Sequence, residues 1–418
     1  MKVVHQIYCE VDVHKSFLVA TIIKTDGLMP QYTKKRFSTF NNDILGFKQW
    51  LLENNCRDVC MESTGKYWIP VYNLLEDEIN VVVASPKWVK AVKGNKDDTK
   101  DSKWIGDLFR LGLVPGSFIP PKPIRVLREY TRYRYKLVSC KSSEKNRFQN
   151  SMTVCNVALD SVVSDMFGVS ASKITDDLIA TDDFNPQHVK SLLHGRMLPK
   201  ADAIIESLQG YQLSNAQKFR MSVINSHFDF VEKSIKKLDT KLDTLVEPYE
   251  NHIDLLCTIL GIRRQSAITI ISEIGVDMSV FSNSKKFCCW AGLTPGNNES
   301  AGNKKKSVRI TRAGIYLKPA LVQVAHAAVK AKDSPYYKNK YERISKRRGK
   351  KRAIIAIARM ILTAIYHMLA TGELWNPSDL FEVDMPCALQ ERQKKKAIKN
   401  ALFLLQREGI IDVETIPA

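Results

Sequence analysis

The sequence predicts an N-terminal α/β domain with a mixed sheet, then a helical, coiled-coil middle and a mostly α-helical C-terminal region. Three observations carry this prediction. Up to about residue 115, short β-like runs alternate with amphipathic helical stretches. Pro115-Gly116 and Pro120-Pro121 then interrupt the pattern. Beyond them the apolar spacing is helical, and between Ile224 and Leu245 it becomes a heptad seam.

In chain order, residues 3–12, 17–24 and 32–38 read as strands, the first two joined by a short turn around His14-Lys15-Ser16. Residues 42–53 read as helix, 58–62 as strand, 67–76 as helix, 81–84 as strand and 98–113 as helix. Three consecutive strands followed by helix–strand alternation favour a sheet with both antiparallel and parallel pairs. The expected domains are residues 1–115, a basic and coiled-coil region at 122–250, a C-terminal domain at 251–385, and a tail at 386–418 to which no motif assigns a role.

The middle region opens on a helix crowded with cations: Arg125, Arg128, Arg132, Arg134, Lys136, Lys141, Lys145 and Arg147, interleaved with Tyr130, Tyr133 and Tyr135. Cations neutralise phosphates and tyrosine rings stack on unpaired bases, so this helix suits nucleic acid. Later, Ile224, Phe228, Val231, Ile235, Leu238, Leu242 and Leu245 form the heptad seam, closed by Pro248. Such a seam needs a partner helix, from the same chain or from a second subunit.

The third region reads as a helical hairpin turning at Gly261, then a turn-rich loop, Thr294-Pro295-Gly296-Asn297-Asn298-Glu299-Ser300-Ala301-Gly302-Asn303. Lys304, Lys305, Lys306, Arg309 and Arg312 follow it directly. Nine of the fifteen residues from Lys338 to Arg352 are Lys or Arg, ahead of an apolar helix at 353–369.

The formal net charge is +19, with an isoelectric point near 9.4, which points to a polyanionic partner. Nine cysteines without a C-x-x-C pair fit reduced thiols and offer no sign of a structural zinc site. No signal-peptide pattern and no run of about 20 apolar residues is evident, so a cytoplasmic protein without membrane contact is expected.

The chemistry resides in four acids. Asp12 and Glu62 end strand-like runs, and Asp98 and Asp101 open a helical segment at a spacing that puts both on one face. Carboxylates converging from two strand ends and a helix suit one or two Mg²⁺ ions, which take oxygen ligands and polarise phosphates. Ser300, in a flexible loop followed by cations, offers a second nucleophile for a phosphate, although spacing alone does not single it out.

Five passages resemble the DEDD transposases of bacterial insertion sequences, the group related to the Piv and MooV invertases and to bridge-RNA-guided recombinases. They are Glu10-Val11-Asp12-Val13-His14-Lys15, Met61-Glu62-Ser63-Thr64-Gly65, Asp98-Thr99-Lys100-Asp101-Ser102-Lys103-Trp104-Ile105, Arg128-Glu129-Tyr130-Thr131-Arg132-Tyr133-Arg134 and Trp290-Ala291-Gly292-Leu293-Thr294-Pro295. The resemblance, over about residues 1–375, implies a RuvC-like (ribonuclease-H-like) first domain and a C-terminal transposase domain. It implies that Asp12, Glu62, Asp98 and Asp101 form the metal-binding tetrad and that Ser300 is the nucleophile. It further implies a composite site shared between subunits of a dimer or tetramer built on the coiled coil. DNA and a structured guide RNA would be the partners, with Arg125, Arg128, Arg132, Arg134, Lys145, Arg147 and the cations after Ser300 as contacts. Asp97 precedes Asp98 where the family has an uncharged residue, and the Gly261 turn reads Gly-Ile-Arg-Arg where a second glycine is common. Two other functions fit the residues: a RuvC-like Mg²⁺-dependent nuclease for branched DNA, and a nucleic-acid-binding assembly protein with a vestigial acidic site.

Overall fold

The computed structural model describes residues 3–25, 30–63, 65–84, 106–181, 184–295, 310–311, 313–332, 334–377, 379 and 387–407. The chain divides into two compact units, residues 1–119 and 120–418.

In the first unit, β1 (Ile7–Val13), β2 (Phe17–Lys24), β3 (Gln31–Ser38), β4 (Asp58–Glu62) and β5 (Asn80–Ala84) form one sheet in the order β3-β2-β1-β4-β5. The β3-β2-β1 half is antiparallel and the β1-β4-β5 half parallel, so the sheet is mixed as the element order implies. Helix α1 (Asn41–Glu53) lies between β3 and β4, and α2 (Trp68–Leu75) is the crossover that parallel β4 and β5 require. Strand side chains alternate between faces. On one face Cys9, Val11, Val13, Val59 and Met61 pack under Phe47 and Leu51 of α1 and Val71 and Leu75 of α2. The other face carries Tyr8, Ile23, Cys60 and Ala84, covered by Phe109 from the helical residues 106–110. β1 is therefore apolar on both sides, and its acids gather where the second face reaches the strand's C-terminal end. The strand starts at Ile7 rather than residue 3 because the Val4 and His5 amides donate to the Arg110 carbonyl (2.9 and 3.3 Å). At the sheet edge, β3 exposes Lys34, Lys35 and Arg36, which discourages pairing with another chain.

The second unit is helical: α3 (Lys122–Val154), α4 (Leu159–Val162), α5 (Val169–Ala180), α6 (Pro186–Ser191), α7 (Ala201–Leu208), α8 (Asn215–Val246), α9 (Glu250–Cys257), α10 (Arg264–Ile274), α11 (Ser284–Trp290), α12 (Leu317–Val329), α13 (Tyr336–Arg348), α14 (Lys350–Thr371) and α15 (Cys387–Arg407). Helices α3 and α8, of 33 and 32 residues, are each about 50 Å long. They run antiparallel: Arg134 pairs with Asp239, Lys141 Nζ with Glu232 (2.7 Å), and His227 Nδ1 with Glu144 (3.0 Å). The heptad seam lies against α3, with Val231, Ile235 and Leu242 buried, so its partner is in the same chain. A capping box of Ser214 and Gln217 starts α8. Helices α4 to α7 turn the chain back and close a core around Phe148, Met152, Ile174, Ile204 and Met221.

At its other end α3 docks on α10. Arg128 donates to the Ser272 and Glu273 carbonyls (3.0 and 2.6 Å), satisfying groups that the last turn of α10 leaves unbonded. Arg132 grips the Glu273 carboxylate with two bonds (2.6 and 2.8 Å). The Glu273 side chain is only 7% exposed. Arg132→Ala would remove both charged hydrogen bonds and leave this carboxylate only Arg128, 3.9 Å away, and is expected to lower stability by about 2 kcal/mol, read from denaturant unfolding. Arg132→Met combined with Glu273→Leu should recover most of that loss.

Helix α14 is the one described helix long and apolar enough to cross a membrane, which the sequence reading did not expect. Its apolar stripe (Ala353, Ile357, Ile361, Ile365) is the buried centre against which α11, α12 and α13 pack. The hairpin turn at Gly261 faces α12, where a Cβ would stand 2.6 Å from the Val324 oxygen. Close helix packing accounts for this glycine.

Candidate active site

The parallel register pairs Val11 with Met61, so Asp12 and Glu62 are the next residues on adjacent strands. Equivalent positions on neighbouring strands point to the same face, about 4.8 Å apart at the backbone. Both acids therefore share the face that carries Tyr8, Cys60 and Phe109, at the C-terminal ends of β1 and β4. Each is half-buried. Asp98 and Asp101 lie outside the described residues. Five positions after Asp101 the chain reaches Gly106, which packs near Tyr8 on this same face.

Two further residues belong to this neighbourhood and were not singled out from the sequence. Glu10, 6% exposed, lies two residues before Asp12 and so on its face. His14 places Nε2 3.0 Å from Asp12 Oδ2, with its ring tilted against Phe17 (4.5 Å). The i, i+2 strand spacing was a usable signal for Glu10; the His14 contact depends on the β1–β2 turn. Burial pushes the Cys56 and Cys60 thiols up to about 12 and Cys9 well above its ordinary value, so these cysteines stay protonated at neutral pH and act as packing groups.

Ser300, Lys304, Lys305, Lys306, Arg309 and Arg312 lie outside the described residues, but the base of their loop is described. Pro295 and Ile310 form an antiparallel bridge. Beneath it, Gly292 and Gly314 take left-handed backbone (φ 72° and 68°) and approach the opposite segment closely. A Cβ would stand 2.7 Å from the Ala313 oxygen at Gly292 and 2.4 Å from the Ala291 oxygen at Gly314. The two glycines thus interlock residues 291–295 with 310–311 and 313–314. From this base runs a groove of about 1560 Å³. Arg348, Lys351, Arg352 and Arg359 line it together with the apolar Ile355 and Met360. The sequence showed this cation run without giving it a role, because only the packing of α13 on α14 makes it a groove wall.

Most of the α3 cations are engaged inside the fold, Lys136 being exposed. Besides Arg128 and Arg132, Arg125 donates to the Pro120 carbonyl (3.0 Å), Arg134 pairs with Asp239, Lys145 lies 3.8 Å from Asp165, and Arg147 pairs with Glu144. Burial pulls the Arg128 guanidinium down to about 10. Arg147 is 58% exposed, and Tyr133 and Tyr135, some three to four turns away on the same helix, are exposed as well.

Two family models match the chain. Residues 9–156 match the IS110 DEDD transposase model, and residues 253–342 match the model described as transposase of the IS116/IS110/IS902 family. No curated protein gives a significant match. The first match contains Asp12, Glu62, Asp98 and Asp101, the second contains Ser300, and together they span more than half of the chain. With carboxylates on adjacent strand ends inside one matched region and two matches covering residues 9–156 and 253–342, this chain is a DNA-acting DEDD transposase of the insertion-sequence family.

Proposed function

We propose that this transposase excises and inserts an insertion sequence in the bacterial cytoplasm through a composite site, with Ser300 working beside Asp12, Glu62, Asp98 and Asp101. The observation that carries this reading is the shared face of Asp12 and Glu62 on a sheet ordered β3-β2-β1-β4-β5, an arrangement that supports a RuvC-like domain. Their all-oxygen donor set fits a hard divalent cation, and transposases of this family are typically metal-dependent. Mg²⁺, one or two ions held by the tetrad, would neutralise phosphate charge and polarise the scissile bond.

The Ser300 hydroxyl loses its proton as Oγ bonds to phosphorus, the phosphorus–oxygen bond to the departing strand breaks, and the released oxygen takes up a proton. The remaining strand stays on Ser300 as a phosphodiester. Attack by a hydroxyl of the other DNA end reverses these changes, frees the serine and conserves the bond, so no external energy source is needed. Lys304, Lys305, Lys306, Arg309 and Arg312 counter the charge that develops. His14 holds the Asp12 carboxylate in place.

In this reading the groove beside the loop holds the DNA strand. Replacing Arg352 and Arg359 together by Ala should lower the slope of log affinity against log salt by about 1.5, since each lost phosphate contact removes about 0.7–0.9. An unchanged slope would exclude the groove from the footprint. A structured guide RNA that selects the target rests on the family resemblance and on the exposed end of α3 around Arg147. Assembly into a dimer or tetramer would use the outer face of α8, where Phe219, Val223 and Phe230 are 72%, 52% and 66% exposed.

The test incubates protein, flanking DNA, the flanking transcript and Mg²⁺, and resolves the products on a denaturing gel beside Ser300→Ala and Asp12→Ala. A covalent protein–DNA band lost in both variants is expected. Cleavage without that band, unaffected by Ser300→Ala, would replace this reading with a RuvC-like nuclease. Loss of all Mg²⁺-dependent breakage would leave a binding protein.

A further inference from the structure

We infer that the α3–α8 hairpin carries a second metal site, formed by Cys140, Glu144 and His227, that takes a thiolate-preferring divalent cation such as Zn²⁺. The site is independent of the acidic tetrad: none of its residues comes from the first unit, and its donors are sulfur, nitrogen and oxygen.

Cys140 and Glu144 are one turn apart on α3 and so share a face. His227 comes from α8, its Nδ1 3.0 Å from Glu144 Oε1. The cysteine sulfur, one carboxylate oxygen and one imidazole nitrogen all lie within 4.8 Å of one another. In a tetrahedral zinc site, bonds of about 2.3 Å to sulfur and 2.0–2.1 Å to nitrogen and oxygen separate the sulfur from the nitrogen by about 3.6 Å. A closure of about 1 Å by side-chain rotation therefore completes three corners, and a water supplies the fourth.

Charge and burial favour the same assignment. The Glu144 side chain is 3% exposed, inside a helical pair, and an ionised carboxylate there needs compensation. Its two neighbours are surface groups: His227 is 48% exposed and Arg147 is 58% exposed. Arg147 can turn into water when a cation binds. A divalent ion with one thiolate, one carboxylate and a neutral imidazole then gives a centre of zero net charge. Lys141 and Lys145 flank the site but are engaged elsewhere, with Glu232 (2.7 Å) and Asp165 (3.8 Å). A metal here would pin α3 to α8 midway along the hairpin, where α3 between Thr131 and Glu144 has no fully buried residue.

The test titrates metal-free full-length protein with Co²⁺ and follows absorption. One equivalent per chain should give a thiolate-to-cobalt charge-transfer band in the near ultraviolet and visible bands of tetrahedral strength. Cys140→Ser should abolish the charge-transfer band with the far-ultraviolet circular dichroism unchanged. His227→Gln, at a half-exposed position, should weaken binding beyond the ~10–100-fold that changes outside the ligand shell cause. Cys289→Ser, at an exposed thiol on α11, and Asp12→Ala should leave the spectrum intact, and excess Mg²⁺ should not displace the ion. Zn²⁺ should raise the melting temperature of the wild type and not of Cys140→Ser. No charge-transfer band, or one that survives Cys140→Ser, would overturn the assignment.

Discussion

Glu62→Gln is expected to slow strand cleavage by at least about 10³-fold while leaving the fold and DNA affinity intact. Glutamine keeps the shape of the side chain at the end of β4 and removes its charge. Charge stabilisation by a metal-bound carboxylate site supplies several kcal/mol, and each 1.36 kcal/mol is tenfold in rate. Glu62 shares the face of Cys60 but sits half-buried at the strand end, and glutamine keeps its volume, so unfolding free energy should move by less than about 0.5 kcal/mol. The measurement is a single-turnover cleavage rate on DNA carrying the element's ends, with affinity measured in parallel. A rate within a few-fold of wild type would remove Glu62 from the site. Equal losses of rate and affinity would make it a binding residue.

What the sequence revealed about this site was local. The strands at 17–24 and 58–62 matched the structure at both ends, because turn residues bracket short apolar runs there. The end of the second of these fixed the position of Glu62; Asp12 lies in β1, which runs one residue past its expected end to Val13, and the parallel register supplied their common face. What the sequence hid depends on partners far along the chain. Arg132 meets Glu273 141 residues away and Arg134 meets Asp239 105 residues away, so a helix that reads as a cationic strip turns out to be a docked strut. The same holds for the heptad seam, which names no partner, and for Cys140 and His227, which show no metal-ligand spacing in the chain. The groove was invisible for a related reason: its lining joins two helices whose cations are consecutive in the chain.

The Gly292–Gly314 clamp gives the second large expectation, because it links backbone packing to catalysis without touching a chemical group. Gly314→Ala would place a Cβ 2.4 Å from the Ala291 oxygen, a distance that real contacts do not tolerate. Relief requires Ala291 and Gly314 to part by roughly an ångström, and the described residues flanking Ser300, Pro295 and Ile310, are bridged just beside them. A misplacement of about 1 Å at a reacting group costs about 10²-fold in rate. Covalent adduct formation should therefore fall by about 10²-fold, with DNA affinity retained. Left-handed backbone alone would also penalise alanine, and Gly210→Ala separates the two effects. Gly210 has φ 72° with no atom within 4 Å of its would-be Cβ, so this variant bears the conformational cost, about 1–2 kcal/mol, without the clash. Loss of stability in both variants with loss of adduct only in Gly314→Ala would identify the clamp as the device that positions the serine. Equal adduct formation in the two would mean that the loop finds its geometry without its base.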